Sequence, residues 1–375
     1  MPYNEVTPGV IRVTSEFRAD IGYAACYVIL DEDIAIIDTG LEHTPKEEIL
    51  WAIEGNGRNP NEVKYILLSH EHPDHIGAVK WLKKKTGAEV GIHKTATDAL
   101  RNPSTVLTRS FGLGRKERFI MKFREFDVYF AGVEADFTLA HKQIIKLGET
   151  NLAVIHSGGH SKSHLMFWDV ERNIVFVGDE VLEYPGDFFK HIIDLTGSSE
   201  RREEALLMLM EINPSIICPI HDEVYMDKDV EPTLQYALDA HQAWDNTILD
   251  LLRAKRRAIT TDEVGEDVKR ILGIKWSETM EILENNVTAR GHLEYLAKVG
   301  KIVKIGGKEE EEKEEELKDL EEREEEGEEE QKKEEEEEKD KKKKKKKKEK
   351  SKKEKKKKKK KPKEILWEYV SEGSS

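Results

Sequence analysis

Four potential metal ligands fall within six residues in the stretch Ser69-His70-Glu71-His72-Pro73-Asp74-His75. Three imidazoles and a carboxylate at that density suit a borderline-soft divalent ion such as zinc. Three more residues of ligand type follow in the chain: His160 in Ser157-Gly158-Gly159-His160, Asp179 in Gly178-Asp179, and His221 in Pro219-Ile220-His221-Asp222. A metal in such a nitrogen and oxygen shell acidifies bound water and polarises a carbonyl or phosphoryl oxygen, so hydrolysis is the expected chemistry. No serine or cysteine nucleophile is required. Cys26 and Cys218 are the only cysteines, too few for a thiolate metal site or a disulfide framework, and both read as buried strand residues.

The elements that must position these residues are legible from apolar patterning. Residues 10–13, 24–30 and 34–37 read as short strands forming an opening meander, with Asp31-Glu32-Asp33 as a turn. Residues 45–53 read as helix, and residues 63–68 as a strand buried on both faces. The dense motif follows that strand directly, at the start of a helix expected over 76–86. Further strands are expected at 152–156, 165–169, 174–177 and 216–219, with a helix over 200–210. Each downstream ligand thus sits just past a strand, where loops commonly carry function. The glycines before His160 and Asp179 let backbone approach a crowded centre. Alternation of strands and helices implies an α/β fold of mixed layers.

From Leu234 the pattern becomes helical: a long helix to Arg256, a Thr261-capped segment carrying Val264, Val268 and Ile271, and a helix over 278–297. Gly300 ends that helix, and residues 301–305 alternate as a strand. Three helices and a strand predict a winged-helix-like second domain over 236–307, after a hydrolase domain over 1–235. Residues 308–363 are almost purely Glu and Lys, an acidic block followed by a basic one. Such a segment has virtually nothing apolar to bury and is expected to stay solvated and disordered. Residues 365–370, Ile-Leu-Trp-Glu-Tyr-Val, read as one more strand. That strand, within a terminal segment 364–375, is expected to pair antiparallel with 301–305 and complete the wing, leaving the charged run as an inserted loop. No run approaches the roughly 18 apolar residues of a membrane span, and no leader-like segment opens the chain, so a soluble, cytoplasmic protein is expected.

The motif His70-x-His72-x-Asp74-His75 resembles that of the metallo-β-lactamase superfamily, over roughly residues 1 to 235. The resemblance implies an αββα sandwich with two metal ions, zinc or another divalent transition metal. It implies that one ion is held by His70, His72 and His160 and a second by Asp74, His75 and His221, with Asp179 bridging. Asp38, in Asp38-Thr39-Gly40, matches the family's early aspartate, which supports the metal loop rather than binding metal. Histidine rather than glutamate at 72 argues against the diiron flavoprotein branch, and the complete ligand set against an inactive relative. Two ions about 3.5 to 4 Å apart share a water and make it hydroxide near neutrality, which suits esters, thioesters, lactones, lactams and phosphodiesters alike. Asp74 and Asp179 are the expected catalytic carboxylates, Asp74 also orienting the nucleophile. His164, four residues after His160, is expected behind the ligands, with contact to substrate or proton donation as the alternative.

Substrate choice is less constrained. Residues 101–129 interleave Arg109, Arg115, Lys116, Arg118, Lys122 and Arg124 with Phe111, Phe119, Phe123 and Phe126. They should form helices or a lid, with Arg115 and Lys116 as candidate contacts for an anionic substrate and a solvated helix face as the plain alternative. The C-terminal pattern is similar to the winged-helix domain of the β-lactamase-like protein 2 branch of the superfamily, which implies endoribonuclease activity on single-stranded RNA. Glyoxalase II shares the metal motif, which implies a small-molecule thioester, ester or lactone hydrolase, although its glutathione-binding groups have no counterpart located here. The net charge of −14 disfavours nonspecific nucleic-acid binding, and only the lysine block supplies a polycation. The sequence leans slightly to the nuclease.

Overall fold

A computed structural model describes residues 3–16, 23–42, 47–121, 130–181, 190–305 and 365–370. The charged run 308–363, and with it its expected disorder, lies outside the described residues, as do Lys122, Phe123, Arg124 and Phe126.

Seven strands, β1 (Tyr3–Thr7), β2 (Val10–Glu16), β3 (Tyr23–Ile29), β4 (Ile34–Ile37), β5 (Val63–Leu67), β6 (Glu89–His93) and β7 (Phe137–Leu139), form the first sheet in chain order. Pairing is antiparallel from β1 to β4, the expected meander, and parallel from β4 to β7. The second sheet runs β13-β12-β11-β10-β9-β8. Its strands are β8 (Ile144–Lys146), β9 (Asn151–His156), β10 (Leu165–Asp169), β11 (Ile174–Gly178), β12 (Ile216–Pro219) and β13 (Tyr225–Met226). Among the described residues, only β11 and β12 pair in parallel there, so both sheets are mixed.

Three apolar clusters explain the layering. Strand side chains alternate, so Cys26, Val28, Ile34, Ile36 and Ile66 turn to one face and pack with Ile49, Ile53, Val79 and Leu82. Those partners lie on helices α1 (Glu47–Gly55) and, after the short α2 (Pro73–Ile76), on α3 (Val79–Thr86). Tyr27, Ile29, Ala35, Ile37 and Leu67 turn the other way and meet Leu152, Val154, Phe167, Phe176 and Cys218 of the second sheet. That sheet's far face packs on Leu206, Leu209 and Leu234. Strands buried on both faces read as continuous apolar runs, and the order is helix, sheet, sheet, helix. Cys26 and Cys218 are free and buried in β3 and β12.

The helix expected over 76–86 is broken. Gly77 N donates to Gly40 O at 2.8 Å, so the chain ties back to the loop after β4 before α3 begins. Within 101–129, the segments α4 (Thr97–Arg101), α5 (Val106–Arg109) and α6 (Arg115–Met121) are short helices. Beyond α7 (Ser199–Ile212) and the long α8 (Val230–Lys255) come α9 (Thr261–Leu272), α10 (Glu278–Glu284) and α11 (Val287–Lys298). The cap of α9 is Thr260, not Thr261, in a capping box with Glu263. The single helix expected over 278–297 is two helices, because Asn285 and Asn286 both take positive φ, 37° and 60°. Strands β14 (Ile259–Thr260), β15 (Ile302–Ile305) and β16 (Leu366–Tyr369) form a third sheet with β16 central. Ile302 pairs with Tyr369 and Ile305 with Leu366, antiparallel. Fully buried Trp367 joins Trp244, Ile248, Val268, Leu293 and Ile302 in one cluster, and its Nε1 donates to Thr261 Oγ1 at 2.9 Å.

Candidate metal centre

The first two strand ends deliver the dense motif and its support. Asp38 follows β4 with φ 57°. Its Oδ1 accepts from Ser69 N at 2.8 Å and its Oδ2 from Ser69 Oγ at 2.7 Å. Oδ2 also lies 3.0 Å from His75 Nδ1. A carboxylate only accepts, so His75 donates through Nδ1 and turns Nε2 inward. There Nε2 lies 3.2 Å from Asp179 Oδ2. Pro73 at the first position of α2 bends the chain so that Asp74 and His75 follow on a helical turn.

The second sheet supplies the rest. Gly178, with φ 55°, ends β11, and a Cβ there would lie 2.4 Å from His164 Nε2; glycine is required for Asp179 to enter at this depth. The amides of Gly159 and His160 donate to Glu180 Oε1 at 2.9 and 3.1 Å. Behind His221, Tyr27 Oη donates to Pro219 O at 2.6 Å and Ala25 N to Ile220 O at 2.7 Å. The third strand of the first sheet therefore fixes the loop that ends the second sheet.

These supports bring together two groups, His70, His72, His160 and Asp179, and Asp74, His75 and His221; within each, the ligand atoms lie within 4.8 Å of one another, and all seven residues are buried. Asp179 Oδ2 faces both groups. It lies 3.8 Å from His70 Nε2 and 3.7 Å from His160 Nε2 on one side, and 3.2 Å from His75 Nε2 and 3.6 Å from His221 Nε2 on the other. Asp74 Oδ2 is 3.2 Å from His221 Nε2.

Hydrogen bonding around the first group fits a cation. His160 Nδ1 donates to Ile192 O at 2.9 Å, and His72 Nε2 to Asp194 Oδ2 at 3.1 Å. With those donations, neutral rings would carry lone pairs on His160 Nε2 and His72 Nδ1, which stand only 2.9 Å apart. Two lone pairs at that distance need a positive charge between or beside them. His70 Nε2 and Asp179 Oδ1 are buried without a hydrogen-bond partner among the described residues, a costly state that coordination would relieve. The donor set of five imidazoles and two carboxylates matches a borderline divalent ion.

Charge balance in the second group points the same way. Burial disfavours a charged His221, yet Asp179 and Asp74 lift its pKa to about 10. Burial likewise opposes charge on His75, while Asp179, Asp38 and Asp74 raise its pKa well above the ordinary value. Desolvation would raise the Asp179 carboxyl, but His75 and His221 hold it well below its usual range. The carboxylates therefore call for positive charge at this spot, and metal ions can take the place of the protons.

His164 does not face open space. It accepts from Asp179 N through Nε2 at 3.0 Å, and its Nδ1 lies 2.8 Å from Ser157 Oγ. Burial lowers its pKa to about 3, and neither nitrogen is left to protonate a leaving group. Arg115 and Lys116 lie exposed at the start of α6, and Arg109 is exposed at the end of α5. Among the described residues of that stretch, Phe111 lies against the centre, its ring 5.0 Å from that of His72. Residues the sequence did not single out include Asp194, Glu180 and the Ile192 carbonyl. No motif marks them; each is a lone residue placed by the fold.

The model of the family described as "Metallo-beta-lactamase superfamily" matches residues 19–221. A hydroxyacylglutathione hydrolase GloC of Haemophilus influenzae is 29% identical over 160 residues, 42% of this chain and 66% of that protein. An acyl-coenzyme A thioesterase MBLAC2 of Bos taurus is 29% identical over 185 residues, 45% of this chain and 63% of that one. The chain thus spans about two thirds of the length of these relatives. Among solved structures, a metallo-beta-lactamase family protein from Thermus thermophilus aligns with a TM-score of 0.63 at 20% identity, covering 80% of this chain and 97% of that one. With a family match across more than half its length and its ligand motif inside that match, this chain belongs to the metallo-beta-lactamase superfamily.

Proposed function

We propose that the protein is a binuclear metal-dependent hydrolase of small-molecule thioesters. The observation that carries the binuclear reading is Asp179 Oδ2, set between two groups of imidazoles at 3.2 to 3.8 Å. In this reading His70, His72 and His160 would hold one divalent ion such as zinc, Asp74, His75 and His221 would hold a second, and Asp179, which faces both groups, would be shared between them. When bound, such ions would supply acidified water and Lewis-acid polarisation of the scissile carbonyl. The chain's own residues do the positioning. Asp38 aims His75, Asp194 aims His72, the Ile192 carbonyl aims His160, and His164 holds the backbone of Asp179. Asp74, between histidine ligands, accepts a hydrogen bond from the attacking water and orients it. The buried walls exclude bulk water and strengthen every charge interaction within.

The thioester class rests on the relatives, which include hydroxyacylglutathione hydrolases and acyl-coenzyme A thioesterases. The endoribonuclease reading keeps one specific support, the C-terminal architecture. Helices α9 to α11 and the three-stranded sheet fit a winged-helix-like domain over 236–307, completed by residues 364–375, with 308–363 as a charged insertion. Assays of zinc-loaded protein against acyl thioesters, lactones and single-stranded RNA, beside a His70→Ala control, separate the two. Thioester turnover lost in the control supports the proposal. RNA cleavage that weakens with salt and with deletion of the lysine run, without thioester turnover, refutes it.

A further inference from the structure

Outside this centre, three more buried histidines converge. His191, His241 and His292 each offer a ring nitrogen within 4.8 Å of the others. They come from three places: the segment before α7, the middle of α8, and α11. His191 Nε2 and His292 Nε2 are 3.2 Å apart, close to the ~3.3 Å edge of a tetrahedron with zinc–nitrogen bonds of about 2.0 to 2.1 Å. His292 Nδ1 donates to Asp245 Oδ1 at 2.8 Å, the carboxylate–histidine pairing that orients a ligand and raises its basicity. In the neutral ring this leaves a lone pair on Nε2, facing His191. Trp244 stacks on His292 with centroids 5.5 Å apart and planes within 8°, which fixes the ring. His241 Nδ1 is buried with no hydrogen-bond partner among the described residues. No motif links the three residues, and the proposed hydrolysis uses none of them.

We infer that His191, His241 and His292 bind a further divalent transition-metal ion of the zinc type, separate from the catalytic pair. Its place in the fold gives it a structural task. The segment that carries His191 also carries the Ile192 carbonyl and Asp194, the groups that orient His160 and His72. Thr288 Oγ1 of α11 donates to His191 O at 3.2 Å. An ion here would pin that segment to α8 and α11, tying the C-terminal helices to the rear of the catalytic ligands.

The test uses the full chain, stripped of metal and titrated with Co2+. A His70→Ala/His75→Ala/Asp179→Ala variant removes the catalytic ligands and leaves the histidine triad. It should bind one ion with the absorption of nitrogen-ligated tetrahedral cobalt, and adding His241→Ala should weaken that binding at least about 100-fold. A variant that keeps its circular dichroism and binds no ion overturns the inference. The second arm needs no dismantled centre: in the otherwise wild-type chain, His241→Gln should lower the number of tightly bound ions by one. An unchanged count overturns the inference. Loss of the catalytic ions alone would leave the triad's ion in place, so the two sites fail separately.

Discussion

Asp194 Oδ2 lies 3.1 Å from His72 Nε2, on the ring edge opposite the nitrogen that meets His160. In the proposed centre, that contact would leave Nδ1 as the ligating nitrogen of His72. Asp194→Asn is expected to lower metal affinity by roughly 10 to 100-fold while leaving the fold intact. Competition against a chromophoric chelator measures it, and unchanged affinity would show that the tautomer of His72 is set elsewhere.

Sequence spacing could not have found Asp194. His70, His72, Asp74 and His75 were legible because one turn of chain presents them all, and spacing alone exposes the pattern. His160, Asp179 and His221 were legible as residues just past strands with apolar signatures. Asp194 lies 122 residues from its partner, and nothing local distinguishes it from a surface aspartate. The same limit applies to the fold. Strands buried on both faces read clearly, whereas β7 and β8, three residues each with a single buried side chain, carry too little pattern. The break at Gly77 is tertiary in origin, made by the hydrogen bond to Gly40 rather than by local propensity.

The third sheet invites a stability measurement. Trp367 is fully buried although some sixty residues separate it in sequence from β15. Trp367→Ala should cost about 3 to 5 kcal/mol in denaturant unfolding, as for other large core aromatics. Replacing 308–363 by a short turn should instead stabilise the same unit by about 2 kcal/mol, the logarithmic closure term for shortening that loop. A tryptophan variant as stable as the wild type would contradict the packing.

Arg115 and Lys116 stand exposed on α6. If they guide an anionic thioester, Arg115→Ala with Lys116→Ala should raise KM about tenfold with kcat and metal content unchanged. Unmoved kinetic constants would mark both as plain surface charge.

A pH dependence follows from His93, whose ring stacks on His156 with centroids 4.3 Å apart. Burial, then the neighbouring His156, lowers its pKa to about 4 from an ordinary 6.5. The unfolded chain therefore binds the proton first, so His93 contributes stability above about pH 6.5 that is lost as pH falls toward 4. His93→Gln should flatten the slope of stability against pH in that window. An unchanged slope would assign it to other groups.

The proposed binuclear centre is tested most directly by anomalous diffraction from zinc-loaded crystals. Two peaks about 3.5 to 4 Å apart are expected, one on each side of the Asp179 carboxylate. Both should vanish or fall to partial occupancy in Asp179→Ala, together with thioester hydrolysis. A single peak among His70, His72, Asp74, His75, His160 and His221 in the fully loaded wild-type protein would contradict it.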